Sequence, residues 1–291
     1  PIALGFLRNS LLRLVAVLLA RSLYWIADSV IVLNPRVSEF IFPHLRKNTP
    51  LHLIPNIADF GMFSLPQSVL SNEIDRIFNS HAVTLVYAGA FGRVNDTKYL
   101  VTLCEELISR DIDLAVIAVG EGSHFNKTFD LAKEKGVLDV NYYQLPGKKQ
   151  SEIAAIMARA AAVLVTFEAN PFLSMTGSNK FFDGMAATKP IIINYQGWHK
   201  DLIEQHGLGL HLHNRMIPDD VNKLVSFIGN NLRSKPSGVA VKKIGEAYFS
   251  LEKFQEHVGL VFEEQRPKSR VSIGETGNDY CSQPTCATFL P

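Results

Sequence analysis

The stretch from Ser174 to Pro190, with the sequence SMTGSNKFFDGMAATKP, contains the residues best suited to hold an anion. It lies between two apolar, strand-like runs, and its pattern predicts a loop of small residues that turns into a helix. The first backbone N–H groups of a helix have no partner within the helix, and the helix dipole makes that end partly positive. The entry Gly177-Ser178-Asn179 would let a phosphate approach those N–H groups, and Lys180 adds a full positive charge.

An acidic residue follows on the same predicted helix. Asp183 comes three residues after Lys180 and interrupts an otherwise apolar pattern. A carboxylate near the ligand-binding edge of an α/β sheet can accept hydrogen bonds from the two hydroxyls of a ribose. A phosphate site beside a ribose site predicts a nucleotide. The alternative is structural, because small polar residues, acids and exposed lysines are ordinary at the start of any helix.

The same stretch resembles the donor-binding motif of glycosyltransferase family 4, whose members have the two-domain GT-B architecture and transfer a sugar from a nucleotide-sugar to an acceptor. The second acid of that motif is matched by Asp183, and the run from Met185 to Pro190 follows it as in the family. The first acid is replaced by Met175. The sequence from Ser178 to Asp183 is similar to that of a branch of the family, the bacterial O-antigen and capsule transferases that act with N-acetylated deoxysugars of the fucosamine type.

From about residue 63 onward, strand-like runs alternate with helical patterns. Strands separated by helices of this length favour right-handed βαβ units and a parallel sheet covered on both faces. The closing segments, 218–234 and 239–262, have the pattern of two helices. With the resemblance, we expect an α/β chain of GT-B type in which residues 63–262 form a Rossmann-like, nucleotide-sugar donor domain. Strands are predicted at Val83–Tyr87, Leu114–Val119, Val140–Tyr143, Ala162–Phe167, Ile191–Asn194 and Leu208–Leu212.

The segment before residue 63 reads as strand, helix, strand and then Pro55-Asn56. This order is similar to the end of the N-terminal domain in family 4 transferases. The resemblance implies that residues 1–62 are a remnant of a Rossmann-like acceptor domain, so that no catalytic residue can be assigned. Residues 263–291 lose all periodicity and are rich in Pro, Ser, Gly and Thr, which predicts a disordered tail.

An apolar stretch, residues 4–26, is interrupted by Arg8, Arg13 and Arg21. The arginines recur too often for an ordinary membrane-spanning helix, and no small-residue cleavage site follows, so neither a transmembrane helix nor a secretory signal is predicted. A helix packed on a sheet is the favoured interpretation. The alternative is a basic amphipathic helix in peripheral contact with a membrane surface.

Three further loops are predicted to reach the ligand-binding edge of the sheet. In Gly89-Ala90-Phe91-Gly92-Arg93, the glycines allow a close turn and Arg93 offers a planar fork of donors to a diphosphate. The resemblance places Gly120-Glu121 and the Leu145-Pro146-Gly147 loop beside the base and sugar. Each loop also has a purely structural reading as a strand-to-helix turn. The diphosphate ligands are thus predicted to be Gly92, Arg93, Gly177, Ser178, Asn179 and Lys180, the ribose ligand Asp183, and the base- or sugar-proximal residues Gly120, Glu121, Leu145 and Gly147.

Composition narrows the range of partners. The 29 basic and 28 acidic residues nearly cancel, so no global field favours nucleic acid. The three cysteines provide no disulfide framework, which indicates a reducing, cytoplasmic compartment, at the inner face of the membrane if the N-terminal helix contacts it. Trp198 is predicted either to flank the acceptor or to cover the sheet edge. The histidines His199, His206, His211 and His213 lack metal-ligand spacing and are predicted to be ordinary surface residues.

The resemblance therefore implies a glycosyltransferase of retaining hexosyl type that transfers a UDP-linked sugar to a lipid-linked or polysaccharide acceptor in cell-surface glycan synthesis. No paired-aspartate motif is present, so the enzyme is predicted to work without a metal or other cofactor. Two alternatives stay open: a nucleotide-sugar epimerase of GT-B type, and a truncated, non-catalytic chain that binds a nucleotide or only a partner protein.

Overall fold

The computed structural model describes residues 9–64, 69–175, 177–234 and 236–264. Contacts between Cα atoms group the chain into two compact units. One is Ile57–Ser250, and the other joins the residues up to Asn56 with those from Leu251 onward. The domain bounds 1–62 and 63–262 stay predictions, and the tail predicted at 263–291 lies outside the described residues from position 265 onward.

The elements follow one another as the alternating pattern indicates. The strands are β1 Val30–Val32, β2 Leu51–Leu53, β3 Val83–Ala88, β4 Leu114–Val119, β5 Tyr142–Leu145, β6 Ala162–Val165, β7 Ile191–Ile193 and β8 Gly209–His211. The helices are α1 Ser10–Ile26, α2 Pro35–Ile41, α3 Phe60–Ser64, α4 Asn72–Ser80, α5 Thr97–Ser109, α6 Phe125–Glu134, α7 Gln150–Arg159, α8 Asn179–Ala186, α9 Trp198–His206, α10 Pro218–Ser234, α11 Pro236–Tyr248 and α12 Leu251–Glu264.

Strands β3 to β8 form one parallel sheet in the order β5-β4-β3-β6-β7-β8. Every residue of β4, β6 and β7 is buried, as expected for parallel strands covered on both faces. Helix α5 packs over this sheet through apolar side chains at helical spacing, including Leu100, Leu103 and Leu107. Each such leucine contributes about 1.5–3 kcal/mol by leaving water. The predicted Rossmann-like α/β fold with a parallel sheet is confirmed.

The other unit contains a two-stranded parallel sheet in which Val30 pairs with Leu51 and Val32 with Leu53. Its first helix, α1, has no buried residue, and apolar side chains such as Leu11 and Trp25 are more than 60% exposed. The interpretation that this helix packs on a sheet is therefore not confirmed. Among the described helices, none has both the length and the apolarity needed to cross a bilayer.

The single helix expected at 239–262 is two helices, α11 and α12, which break at Phe249-Ser250. The break has a packing cause. Phe249 is 2% exposed, contacts the rings of Phe182 and Trp198, and accepts a hydrogen bond on its carbonyl oxygen from the N–H of Ala58 at 2.7 Å. Helical periodicity alone does not reveal a kink whose cause is contact with residues this distant in sequence.

Helix α8 ends in a Schellman motif. The N–H of Thr188 donates to the carbonyl of Met185 at 2.9 Å, and the N–H of Lys189 donates to that of Gly184 at 3.1 Å. The residue after the C-cap must then be left-handed, and Thr188 has φ of +54°. A β-branched side chain is strained there, whereas glycine is not.

We expect Thr188→Gly to raise the free energy of unfolding by about 0.5–1 kcal/mol, because the relief of left-handed strain exceeds the extra entropy of glycine in the unfolded chain. Urea unfolding followed by circular dichroism measures the change. Ala187→Gly is the matched control, since Ala187 is right-handed with φ of −71° and glycine there should lower the same free energy. Equal shifts for the two variants would contradict the assignment of strain.

Candidate functional site

Strands β3 and β6 are neighbours at the centre of the sheet, and the strands that follow each of them are added on opposite sides. Strands β4 and β5 lie beyond β3, while β7 and β8 lie beyond β6. In open parallel sheets, ligands bind beyond the carboxyl ends of the strands at such a switch point. The predicted site residues all lie at or beyond the carboxyl ends of β3, β4, β5 and β6.

Backbone contacts hold the loops after β3 and β4 against each other. The N–H of Gly89 donates to the carbonyl of Val119 at 2.9 Å, and the N–H of Phe91 donates to that of Glu121 at 2.7 Å. Gly120 has φ of +156°, and a Cβ atom at this position would lie 1.8 Å from the carbonyl oxygen of Gly89. Glycine is therefore needed at 120 for the close approach of two loops, whether or not a ligand binds beside it.

The loops after β4 and β5 also meet. The N–H of Gly120 donates to the carbonyl of Leu145 at 3.1 Å. The side chain of Glu121 lies over Gly147, since a Cβ atom at 147 would be 2.7 Å from its Oε1. The four residues predicted near a base or sugar thus form one local group at the carboxyl edge.

The side chain at the N-cap of α8 does not cap the helix. Ser178 occupies the N-cap position but makes no capping hydrogen bond with its side chain. Its Oγ is buried and has no hydrogen-bond partner among the described residues, although a buried hydroxyl left unpaired costs about 1–3 kcal/mol. Gly177 is partly exposed, Asn179 is exposed, and the first turn contains no acidic residue. This helix end is suited to an incoming anion.

Lys180 reaches from α8 to the loop after β3. Its Nζ donates to Oδ1 of Asn95 at 2.8 Å, and it lies 5.7 Å and 5.5 Å from the ring centroids of Tyr87 and Phe167. The stem packs on Gly89, where a Cβ atom would be 2.3 Å from Cε of the lysine. Burial lowers the pKa of Lys180 to about 8. A cation is thus held between the ends of β3 and β6 with few groups to balance its charge.

Asp183 lies one helical turn after Lys180, and residues three apart share a helix face. Burial raises the pKa of Asp183 to about 6, with the charge of Lys180 opposing this shift and that of Asp59 adding to it. The buried setting of this carboxyl group therefore opposes its charged form, and hydrogen bonds from the hydroxyl groups of a ligand would offset that effect.

Gly92 and Arg93 belong to the turn that carries Asn95. The N–H of Asn95 donates to the carbonyl of Gly92 at 3.2 Å, and Asn95 is 5% exposed. Arg93 is exposed to solvent. The structure therefore brings the predicted diphosphate residues of this loop close to Lys180, through an asparagine that the sequence analysis did not assign to the site.

Two further acids at this edge were also missed. Asp96 caps α5 by accepting the N–H of Tyr99 at 3.1 Å, and burial followed by the charge of Glu168 raises its pKa to about 6. Glu168 lies just beyond β6. Within the described ranges, no group of three or more His, Cys, Asp or Glu side chains is arranged to hold a metal ion.

The prediction of a surface histidine is wrong for His199, which is 1% exposed. Its ring stacks on Phe181 with centroids 4.1 Å apart, and its Nδ1 lies 2.8 Å from the hydroxyl of Tyr195. Burial lowers the pKa of His199 to about 3, so the ring is neutral. Trp198 is also buried and contacts Phe182, so it covers apolar side chains of the sheet region. These rings brace the helix that carries Lys180 and Asp183.

Comparison with known proteins identifies the fold. No family model matches the sequence, and no curated protein matches it. Among solved structures, it is similar to sucrose-phosphate synthase from Thermosynechococcus elongatus, with a TM-score of 0.67, 17% identity and 91% of this chain covered. It is similar to HepE from Anabaena in complex with UDP-glucose, with a TM-score of 0.67, 14% identity and 90% of this chain and 70% of that chain covered.

A third similar structure is a variant of TarM from S. aureus in complex with fondaparinux, alpha-GlcNAc-glycerol and UDP, with a TM-score of 0.61, 16% identity and 81% of this chain covered. These proteins have the GT-B glycosyltransferase fold, and the chain shares it. The chain spans 65% of the sucrose-phosphate synthase chain and 44% of the TarM chain.

Proposed function

We propose that this chain binds the donor of a glycosyltransferase, a UDP-linked sugar, in the crevice between the ends of β3 and β6. The observation that carries the proposal is the pairing of a largely buried lysine with a helix N-terminus whose N-cap side chain makes no capping hydrogen bond, at the switch point of the sheet. Lys180 and Ser178 both belong to this arrangement, and Asp183 stands one turn away.

The proposed chemistry is stabilisation of the leaving group. When the bond between the anomeric carbon and the phosphate oxygen breaks, negative charge grows on the diphosphate. Fixed donors placed where that charge develops lower the barrier most effectively. Here they would be the N–H groups at the start of α8 and the ammonium of Lys180, with Arg93 approaching from the exposed side.

Asp183 is proposed to accept hydrogen bonds from the ribose hydroxyls. Burial raises its pKa, and hydrogen bonds from the ribose hydroxyls would stabilise the charged carboxylate. The helix face it shares with Lys180 would place ribose and diphosphate at the spacing of one turn. Uracil is the proposed base because the similar HepE and TarM structures contain UDP-glucose and UDP. Gly120, Glu121, Leu145 and Gly147 would lie beside the base and sugar.

The remaining parts of the proposal rest on the sequence resemblance. They are a hexosyl donor of the N-acetyl-deoxysugar type, transfer with retention at the anomeric carbon, and a glycan or lipid-linked acceptor in cell-surface polysaccharide synthesis such as that of O-antigen. The location proposed is the cytoplasm, with peripheral contact at the inner face of the membrane. Catalysis is proposed to need no metal or other cofactor, because the donors named above would neutralise the diphosphate.

The test is thermal stabilisation of this chain by UDP, with GDP and ADP as base controls. A ligand present at a hundred times its dissociation constant stabilises the folded state by about 2.7 kcal/mol. We expect UDP to give the largest shift, Asp183→Ala to abolish it, and the exposed α6 variants Lys133→Ala and Glu134→Ala to retain it. The shift should be the same with EDTA present.

Two outcomes would contradict the proposal. If no nucleotide shifts the unfolding temperature of the folded chain, this chain has no donor site. If Asp183→Ala and Glu134→Ala behave alike, the nucleotide binds elsewhere. Loss of the UDP shift in EDTA would refute the metal-independent part alone.

A further inference from the structure

A cavity lies at the edge of the six-stranded sheet where the strands begin, opposite the proposed donor site. It has a volume of about 500 Å³ and is contained within the larger unit. Its floor includes the first residues of β3 and the residues that lead into β6 and β7, such as Val83, Ala161 and Pro190. Helices α10 and α11 contribute Ile228 and Val239 to its walls. In a parallel sheet, the starts and ends of the strands lie on opposite edges, so this cavity is separate from the donor site.

Three cations line this cavity: Arg159, Lys189 and Lys242. Its described lining residues include no aspartate or glutamate. All three have partners outside the lining: Arg159 pairs with Asp75 and donates to Asn79, the ammonium of Lys189 donates to the carbonyl oxygen of Ala158 at 2.6 Å, and Lys242 lies 3.9 Å from Glu246. Both acids lie outside the lining, so the charged side chains that line the cavity itself are basic.

The cavity also combines an apolar wall with a buried polar group. The guanidinium carbon of Arg159 lies 4.6 Å from the centroid of the Phe78 ring. Ile228 and Leu232 extend the apolar surface. Thr84 lines the same cavity and is 5% exposed, yet its Oγ1 has no hydrogen-bond partner among the described residues.

Small-molecule sites are typically concave, mostly apolar, a few hundred Å³ in volume and provided with a few convergent polar groups. We propose that this cavity is an accessory binding site for a small amphipathic anion, a carboxylate or phosphate monoester on a compact apolar body. The anionic group meets the side of the cavity formed by Lys189 and Lys242, and the apolar body lies against the Ile228 side. The proposal is independent of the donor site.

The first measurement is calorimetric titration of the intact chain with phenyl phosphate at low, fixed ionic strength. Benzoate, inorganic phosphate and phenol are the comparison probes, because they test the anion and the apolar body separately. We expect phenyl phosphate and benzoate to bind at one site, and inorganic phosphate and phenol to bind at least about tenfold more weakly, since each lacks one half of the recognition. Equal affinity for inorganic phosphate and phenyl phosphate would overturn the proposal.

A matched pair of variants locates the site. Val239 lines the cavity on α11 and is 67% exposed, so it tolerates polar replacement. Val239→Glu should weaken phenyl phosphate binding by about tenfold through charge repulsion, whereas the neutral Val239→Gln should change it less than threefold. Lys242→Glu and Lys242→Gln repeat the comparison at a second exposed position, in case one pair is poorly folded.

The two sites are distinguished with UDP. Both Val239 variants should bind UDP as the unaltered chain does, and phenyl phosphate should bind equally well when UDP is saturating. If UDP displaces phenyl phosphate and the Glu and Gln variants at Val239 behave alike, the probe occupies the donor site and the accessory site is refuted. Failure of UDP to bind would refute the proposed function only, because the comparison at Val239 does not depend on it.

Discussion

Replacing Lys180 with methionine should weaken the binding of UDP by about 10- to 100-fold and leave the chain at least as stable. The loss follows because a charge-assisted hydrogen bond to a diphosphate in a largely buried setting contributes about 1.5–3 kcal/mol. The gain in stability follows because burial opposes the charged form of Lys180, whose pKa falls to about 8, and methionine fills the same space without charge. Calorimetric titration and urea unfolding of one preparation measure both effects.

The controls separate charge from shape. Lys133→Met on the exposed end of α6 removes a lysine of equal charge and should change neither the affinity nor the stability. Asn95→Ala removes the acceptor that holds the Lys180 ammonium at 2.8 Å, and it should weaken UDP binding less than Lys180→Met does. Unchanged UDP affinity in Lys180→Met would show that the lysine is a packing residue and not a phosphate ligand.

The sheet was predictable because strands buried on both faces are continuous apolar runs. Leu114–Val119 has no polar residue, and each of its side chains is buried. Helices of regular length between such runs leave a parallel sheet as the arrangement that obeys right-handed crossover connections. The edge at which ligands bind follows from that topology, so the predicted site residues fall on one edge without any knowledge of side-chain contacts.

Side-chain partners were not predictable in the same way. Asn95 and Lys180 are 85 positions apart, and the hydrogen bond between them depends on how β3 and β6 align. His199 was misread because a histidine at the start of an amphipathic helix is ordinarily exposed, whereas here it stacks on Phe181. The Ser178 hydroxyl is buried without a hydrogen-bond partner among the described residues, and a sequence does not record such a property.

The affinity for a UDP-sugar should be highest between about pH 6 and pH 8 and fall on both sides. Burial raises the pKa of Asp183 to about 6, so acidification protonates the proposed acceptor for the ribose hydroxyls. Burial lowers the pKa of Lys180 to about 8, so alkaline solution removes the charge proposed to meet the diphosphate. UDP-glucose is the suitable probe, because each of its phosphates has one ester and one anhydride linkage and neither titrates in this range.

Two variants assign the limbs of this profile. Asp183→Asn should remove the loss of affinity at acidic pH. This variant is needed because Asp96 also has a pKa of about 6 and lies at the same edge of the sheet. Lys180→Met should flatten the alkaline limb at a lower overall affinity. If Asp183→Asn still loses affinity at acidic pH, the titrating group is Asp96 and not Asp183. If the unaltered chain does not lose affinity at alkaline pH, the assignment of Lys180 is contradicted.

Asp183 and Lys180 should affect the stability of the folded chain in the opposite sense to their effect on UDP-sugar affinity. Asp183 has a higher pKa folded, about 6, than in the unfolded chain, so the folded state binds more protons and its stability falls as pH rises from about 4 to 6. Lys180 has a lower pKa folded, about 8, so the unfolded state binds more protons and stability rises from about pH 8 to 10.5. These two groups should therefore stabilise the unliganded chain least between about pH 6 and pH 8, where its affinity for a UDP-sugar is expected to be highest. A nucleotide-sugar would offset the cost of burying both charges, which is the expected behaviour of a site whose charged groups are held in place for a ligand.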